Sequence, residues 1–93
     1  MSKTRAHVFI SGFVQGVGFR FFAILNARKL GVSGVVRNLR DGRVEVIAEG
    51  ELENVKAFIR CLRKGPPGAN VVGVDVRLEK YEGEFSDFSV ELF

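Results

Sequence analysis

Hydrophobic and polar residues follow two periodicities along this chain, and each predicts one kind of element. Alternation of apolar and polar residues, typical of half-buried strands, occurs in five segments. The predicted strands cover residues 7–13, 33–39, 44–49, 71–78 and, as a short last strand, 87–92. Helical spacing of apolar residues predicts helices over 21–30 and 51–63, which end at Gly31 and Gly65. The predicted order is therefore β-α-β-β-α-β with an added C-terminal strand.

The alternation also predicts which side chains of a strand share a face. In the third strand, Val44, Val46 and Ala48 are expected to point inward. Glu45 and Glu49 alternate with them and are expected to point outward. In the fourth strand, Val72, Val74, Val76 and Leu78 are expected on one face.

This element order is that of the split-βαβ, or ferredoxin-like, fold, an α+β two-layer sandwich with a mainly antiparallel sheet. The Asp41-Gly42 pair predicts a hairpin between strands 2 and 3. Right-handed crossovers place strand 3 between strands 1 and 2, and strand 1 between strands 3 and 4. Strands 1 and 2 are then parallel, and their C-terminal ends lie at the same sheet edge, about 10 Å apart. The loop 16–20 and Asn38 are therefore expected at that edge.

Composition limits the classes of protein that the chain can belong to. Its 93 residues are predicted to form a single domain, residues 1–93, and 46% hydrophobic content rules out disorder. The one cysteine, Cys61, cannot form an internal disulfide. Neither an apolar run of roughly 18 residues nor a signal-peptide pattern is present. We therefore expect a cytoplasmic protein without a membrane span, and a monomer, because the single-striped helices need no partner to cover them.

The charge is unevenly distributed along the chain. The first 40 residues hold seven basic residues and no acidic one, whereas residues 41–93 hold seven basic and eleven acidic residues, for a net charge of +3. An acid-free half predicts an anionic partner, either a phosphate group or a nucleic acid. It offers no carboxylates for acid–base catalysis or metal binding. Lys3, Arg5, Arg28 and Lys29 are interpreted as solvated charges that steer the substrate.

The loop 15–20, Gln-Gly-Val-Gly-Phe-Arg, leads from strand 1 into the first turn of helix 1. Free N–H groups at a helix N-terminus bind anions, and Gly16 and Gly18 allow successive N–H groups to converge. Arg20 adds a planar guanidinium that can bind two phosphate oxygens. The same residues also fit a plain tight turn followed by a solvated arginine. Neither the Walker A motif nor the dinucleotide-binding motif occurs.

RNA-recognition domains share this element order, and residues 15–22 match part of their aromatic motif. That motif belongs on the third strand, where its aromatic residues face an open sheet. Here the match lies between strand 1 and helix 1, and the predicted third strand has no aromatic residue and two glutamates. Nucleic-acid binding is therefore the least favoured function.

Two segments resemble the signatures of the acylphosphatase family. Residues 12–20, Gly-Phe-Val-Gln-Gly-Val-Gly-Phe-Arg, resemble the first signature, and residues 34–44, followed by Gly50, resemble the second. The resemblance covers essentially the whole chain. It implies an enzyme that hydrolyses acyl phosphates to a carboxylate and inorganic phosphate without a metal or cofactor. The product phosphate is then expected to be a competitive inhibitor.

The resemblance also assigns roles to individual residues. Arg20 and the loop amides correspond to the phosphate-binding groups of the family, and Asn38 corresponds to the asparagine that orients the attacking water. The implied substrate-binding residues are Gln15, Gly16, Val17, Gly18, Phe19 and Arg20. Two positions depart from the family pattern: Val35, where tryptophan is frequent, and Ala23, where threonine is frequent.

A non-catalytic module that binds phosphate or carbamoyl phosphate is the alternative function. Such domains occur at the start of hydrogenase-maturation carbamoyltransferases, and the short chain without a downstream domain argues against that context. Because the loop contains no acid and no histidine, the phosphate of the substrate is expected to accept the proton of the attacking water.

The other reactive or aromatic residues have simpler interpretations. His7 is interpreted as a surface residue of strand 1, because no metal-ligating or catalytic partner lies near it in sequence. Cys61 is interpreted as a structural or surface thiol. Phe19, Phe21 and Phe22 are interpreted as packing residues, with contact to the acyl group of the substrate as the alternative.

Overall fold

The computed structural model describes residues 2–92 and has the predicted order of elements. They are β1 (Lys3–Phe13), α1 (Phe19–Leu30), β2 (Ser33–Asn38), β3 (Val44–Glu51), α2 (Leu52–Lys64), β4 (Asn70–Glu79) and β5 (Phe88–Val90). The ferredoxin-like α+β fold predicted from the sequence is confirmed, and so is the hairpin between β2 and β3. Asp41 stabilises that hairpin, because its carboxylate accepts hydrogen bonds from the backbone N–H and the guanidinium of Arg43.

The five strands form one sheet in the order β4-β1-β3-β2-β5. The predicted positions of strands 1 to 4 are confirmed, and their pairings are all antiparallel. The sequence did not predict a partner for the last strand, which pairs in parallel with β2. Phe88 of β5 is fully buried, and its ring meets that of Phe58 edge-on at 5.4 Å. This apolar contact joins β5 to α2, while the strand itself lies under α1.

Both helices pack on one face of the sheet and enclose the core there. The core residues share near-complete burial, and most are small or medium-sized aliphatic side chains. They include Val8, Ile10, Phe19, Ala23, Ala27, Val36, Val44, Val46, Ala48, Val55, Phe58, Ile59, Leu62 and Phe88. Burial of these apolar surfaces is the main contribution that stabilises such a fold.

Several predicted boundaries differ from the observed ones. β1 begins at Lys3 instead of residue 7, because its first residues pair with the C-terminal half of β3, up to Glu51. α1 begins at Phe19 instead of residue 21, because Gly18 adopts the left-handed conformation and acts as its N-cap. The run of aromatic residues at this point, which disfavours a helix by propensity, is overridden by the burial of Phe19.

The prediction that Val72 shares a face with Val74 and Val76 is wrong. A β-bulge in the pairing of β1 with β4 shifts the register, so that Ser11 pairs with Gly73 but Gly12 pairs with Val71. Val72 is the extra residue and is 74% exposed. A bulge inverts the facing of the residues beyond it, which no alternation in β4 alone can reveal.

Glu45 and Glu49 lie on the sheet face opposite the helices, as predicted, but they are buried there. Glu49 is fully buried and accepts hydrogen bonds from the backbone N–H groups of Glu82 and Glu84 and from Arg5. The segment that follows β4 therefore crosses this face and covers it. Arg5, expected to be solvated, has a side chain only 12% exposed, because it contacts the carboxylates of Glu49, Glu79 and Glu84.

Opposing effects set the acidity of the two buried carboxyl groups. Burial of Glu49 opposes ionisation, but the hydrogen bonds it accepts from two backbone N–H groups and Arg5 outweigh burial and lower its pKa. Burial opposes ionisation of Glu45 as well, and its hydrogen bonds to His7 and Arg37 outweigh burial and lower its pKa. Both carboxylates therefore favour the folded state in their ionised form.

In residues 2–92, neither helix is both long and apolar enough to span a membrane.

The lowered pKa of Glu49 predicts acid-sensitive stability. Its contribution is complete above the pKa of an unfolded glutamate, about 4.3, and is lost as the pH falls through the lowered value in the folded state. We expect Glu49→Gln to reduce the free energy of unfolding at neutral pH and to flatten its decline at acidic pH. Urea denaturation across this pH range measures both effects.

Glu53→Gln is the matched control, because the Glu53 side chain is 82% exposed and forms an ion pair with the exposed Lys56 at 3.7 Å. We expect it to follow the wild-type profile. An acid decline as steep in Glu49→Gln as in the wild type would contradict the assigned role of Glu49.

Candidate active site

A pocket of about 390 Å³ lies at the edge of the sheet where β1 and β2 end. It contains residues from the loop after β1, from the first two turns of α1, from the end of β2 and from the C-terminal segment. The lining residues are Val14, Gly16, Gly18, Phe19, Arg20, Phe21, Ile24, Asn38, Val90 and Leu92. The structure thus brings Arg20 and Asn38 together, although 17 residues separate them in sequence.

The two glycines determine the path of the loop into α1. Gly16 and Gly18 both have φ 77°, in the left-handed region that favours glycine. A Cβ atom at either position would meet no atom within 4 Å, so backbone conformation and not space requires glycine here. In residues 2–92, no carbonyl accepts a hydrogen bond from the backbone N–H groups of residues 16–21. These donors stay available for an anion at the positive end of α1.

Arg20 occupies the first turn of α1 and lines the pocket. Its half-buried guanidinium has no ion pair or hydrogen bond to another described residue. Arg5 and Arg37, by contrast, each contact glutamates. The first turn of α1 also contains no acidic residue. Within residues 2–92, no acidic side chain therefore neutralises the positive charge at this pocket.

Asn38 is the last residue of β2 and lies on the same side of the sheet as α1. Among the buried side-chain nitrogen and oxygen atoms of the described residues, Oδ1 of Asn38 is the one that has no hydrogen-bond partner. Such an atom costs free energy comparable to a lost hydrogen bond. A buried acceptor kept unpaired in a pocket is typical of a group that binds something other than the protein.

Gln15 and Val17, which were predicted to bind substrate, use their side chains elsewhere. Nε2 of Gln15 donates hydrogen bonds to the carbonyl oxygens of Leu39 and Arg43, at 2.7 and 2.9 Å. The Gln15 side chain thereby ties the end of β1 to the β2–β3 hairpin. Val17 packs against the core. A role of their backbone amides in binding stays a prediction.

Sequence reasoning did not assign Ile24, Val90 and Leu92 to the pocket, and it gave a place for Phe21 at the substrate only as the alternative to packing. Phe21 and Ile24 are three residues apart in α1 and therefore lie on the same face of the helix. This spacing is the only indication in the sequence that they are neighbours in space. Val90 and Leu92 come from β5 and the segment after it. Their proximity to the loop depends on the pairing of β5 with β2, which the sequence pattern did not predict.

The other reactive side chains lie outside this pocket. His7 is on the opposite sheet face, where its Nε2 contacts Glu45 at 2.5 Å. Cys61 is a free thiol that lines a separate surface pocket beside Pro66 and Lys64. From Ser2 to Leu92, no three His, Cys, Asp or Glu side chains are grouped so that they could hold a metal ion.

The fold and the site together define a ferredoxin-like domain in which a glycine-rich loop with free backbone N–H groups and the side-chain amide of Asn38 line the same pocket. The family model described as Acylphosphatase matches residues 6–90. An acylphosphatase from Roseiflexus sp. (strain RS-1) is 54% identical over 90 residues, which are 97% of each chain. The chain belongs to the acylphosphatase family.

Solved structures agree with this assignment. The crystal structure of acylphosphatase from Bacillus subtilis superposes with a TM-score of 0.92 and 33% identity, covering 95% of this chain and 98% of that one. The crystal structure of full-length HypF in the phosphate- and nucleotide-bound form gives a TM-score of 0.84 and 30% identity. That match covers 97% of this chain but only 12% of HypF. The fold thus occurs both as nearly a whole protein and as a small part of a longer one.

Proposed function

We propose that this acylphosphatase-family enzyme hydrolyses acyl phosphates in the pocket of Arg20 and Asn38. The phosphate binds to the loop amides and to Arg20, and Asn38 orients the attacking water. The unpartnered Oδ1 of Asn38 is the observation that carries this proposal, because it puts a buried acceptor in the same pocket as the free amides. A phosphate-binding module without catalysis has no need of that acceptor.

The phosphate group is recognised by charge and by converging donors. The backbone N–H groups of the loop and of the first turn of α1 can point at its oxygens, and the guanidinium of Arg20 can form two parallel hydrogen bonds. These donors are fixed by the glycine conformations before the substrate arrives. Preorganised donors of this kind stabilise the charge of a phosphoryl-transfer transition state.

Asn38 is neutral and cannot remove a proton from water, but its Oδ1 can accept a hydrogen bond from it. The water oxygen bonds to phosphorus while the bond from phosphorus to the acyl oxygen breaks. The leaving group is a carboxylate, which is stable as an anion at neutral pH and requires no general acid. Positioning of the water is therefore the main contribution required of Asn38.

The substrate itself is proposed to accept the proton. Arg20 is the one described residue of the pocket lining whose side chain can ionise. Because its guanidinium stays protonated, it does not accept a proton from water. One proton of the water moves to a phosphate oxygen, so that the products are a carboxylate and inorganic phosphate. The proposal includes catalysis without a metal, a monomeric state and a cytoplasmic location. The burial of the apolar stripe of α2 within the chain's own core supports the monomeric state, and the free thiol of Cys61 supports the cytoplasmic location.

We expect the purified protein to hydrolyse benzoyl phosphate at the same rate with and without EDTA, and inorganic phosphate to inhibit it competitively. Steady-state kinetics measure both. His7→Ala serves as a control and should retain activity, because His7 lies on the opposite sheet face. Loss of activity in EDTA, or in His7→Ala, would contradict the proposed mechanism.

Arg20→Lys keeps the positive charge but loses the planar pair of donors. We expect kcat/KM to fall about 100-fold and the inhibition constant of phosphate to rise. Arg60→Lys, on the exposed face of α2, is the matched control and should behave as the wild type. Full activity in Arg20→Lys would show that bidentate binding by Arg20 is not required.

Asn38→Ala separates catalysis from stability. We expect kcat to fall about 100-fold, while the free energy of unfolding does not decrease, because Oδ1 has no partner among the described residues to lose. Asn26→Ala is the matched control: Nδ2 of Asn26 donates to the Phe22 carbonyl at 2.9 Å, so this variant should lose some stability and keep its activity. Urea denaturation and initial rates measure the two quantities. Retained turnover in Asn38→Ala would disprove the role of Asn38.

A further inference from the structure

The side chain of Gln15 connects the two parts of the proposed active site. One part is the loop 15–20, and the other is the β2–β3 hairpin, which begins directly after Asn38. We propose that Gln15 is a positioning residue for Asn38: its hydrogen bonds to the hairpin hold Asn38 at the place where it orients the attacking water. This inference rests on the proposed function.

The amide nitrogen of Gln15 is used by the protein and is not available to the substrate. Nε2 lies 2.7 Å from the carbonyl oxygen of Leu39 and 2.9 Å from that of Arg43. A side-chain amide has two N–H donors, so each donor has one of these carbonyls as its partner. The other polar atom of the side chain, Oε1, is an acceptor and cannot donate to a phosphate oxygen. The side chain of Gln15 therefore acts on the protein and not on the substrate.

The sheet by itself does not join the loop to the hairpin. The ladder between β1 and β3 ends at the pair of Ile10 and Val44, and the residues of β1 beyond this pair are matched with β4. Between Ser2 and Leu92, the hydrogen bonds that connect residues 14–18 with residues 39–43 are the two from Gln15. Gln15 thus bridges the gap that opens where the ladder has ended.

This bridge bears on Asn38 because little else holds that side chain. Oδ1 of Asn38 has no hydrogen-bond partner among the described residues, and its backbone forms the last pair of the β2–β3 ladder, with Val44. One residue further on, the N–H of Leu39 donates to the Arg43 carbonyl at 2.8 Å. Gln15 binds the carbonyl groups of both residues in that closing pair, and so it fixes the hairpin directly beside Asn38.

The other end of the bridge is anchored in the core. Val14, which precedes Gln15, is 1% exposed, and Phe19, at the start of α1, is 2% exposed. The tip of the hairpin, residues 40 and 41, is exposed instead. Loss of the bridge should therefore displace the hairpin and Asn38 more than the loop. A displacement of about 1 Å at a reacting group can reduce a rate about 100-fold, whereas phosphate binding by the loop should persist.

A double-mutant cycle tests this role. We measure kcat and KM for benzoyl phosphate, the inhibition constant of inorganic phosphate and urea denaturation in Gln15→Met, in Asn38→Ala and in the double variant. Methionine has nearly the length of glutamine but no donor. Asn26→Leu is the matched control, because Nδ2 of Asn26 also donates to a backbone carbonyl, that of Phe22 at 2.9 Å, but Asn26 does not line the pocket.

We expect kcat of Gln15→Met to fall about tenfold, while KM and the inhibition constant of phosphate stay within about twofold of the wild-type values. In the Asn38→Ala background, the same substitution should lower kcat by less than about twofold, because a residue that acts through Asn38 then has nothing to position. Asn26→Leu should lose stability and keep the wild-type kcat.

Three results would overturn this inference alone. They are an unchanged kcat in Gln15→Met, the same loss of kcat with and without Asn38, and a phosphate inhibition constant that rises as much as kcat falls. A wild type that does not hydrolyse benzoyl phosphate, or full turnover in Asn38→Ala, would instead overturn the proposed function and this inference with it.

Gln15→Glu provides a second test that does not require Gln15→Met to fold. The introduced carboxylate has no donor at neutral pH, but its protonated form has an O–H that can donate to one of the two hairpin carbonyls. We expect its kcat, relative to that of the wild type, to rise as the pH is lowered. A ratio that stays constant with pH would contradict the role of Gln15.

Discussion

The site depends on the pairing of β3 with both β1 and β2. Val44 of β3 pairs with Ile10 of β1 on one side and with Asn38 of β2 on the other. This pairing fixes the position of Asn38 along the sheet relative to the loop that follows β1. Because strand residues alternate in facing, Asn38 lies on the side of α1, whereas Arg37 lies on the opposite side and contacts Glu45. A register slip of one residue would exchange these two side chains. Gly34 helps to prevent such a slip, because a Cβ atom there would collide with the Ile47 carbonyl oxygen.

Ion pairs across the sheet change the meaning of the uneven charge along the chain. Basic residues of the acid-free first 40 positions contact acidic residues of the second half. The pairs are Arg5 with Glu49, Glu79 and Glu84, Arg28 with Asp87, and Arg37 with Glu45 and Glu91. Arg20 forms no such pair with a described residue. Arg5 and Arg37 therefore stabilise the covered sheet face, and among the described residues that line the pocket the charge available to an anion is that of Arg20.

The sequence predicted the features that follow from local patterns and from general rules of strand connection. It did not predict the features that depend on one particular distant partner. The glycines of the loop, the helical spacing and the Asp41-Gly42 turn predicted the element order and the convergence of Arg20 with Asn38. The bulge at Val72 requires knowledge of the opposing residues Ser11 and Gly12. The burial of Glu49 requires the backbone N–H groups of a segment more than 30 residues away. Alternation indicates which face a residue occupies, but not what covers that face.

The sequence by itself determined the fold class, the glycine-rich loop before α1 and the convergence of Arg20 with Asn38 at one sheet edge. It did so because local backbone preferences and right-handed crossovers leave few arrangements for this order of elements. Only the tertiary structure decided which donors remain free, which cations are neutralised and which apolar side chains complete the pocket. These properties arise when β5 pairs with β2 and the segment after β4 crosses the sheet, and both contacts join residues far apart in sequence.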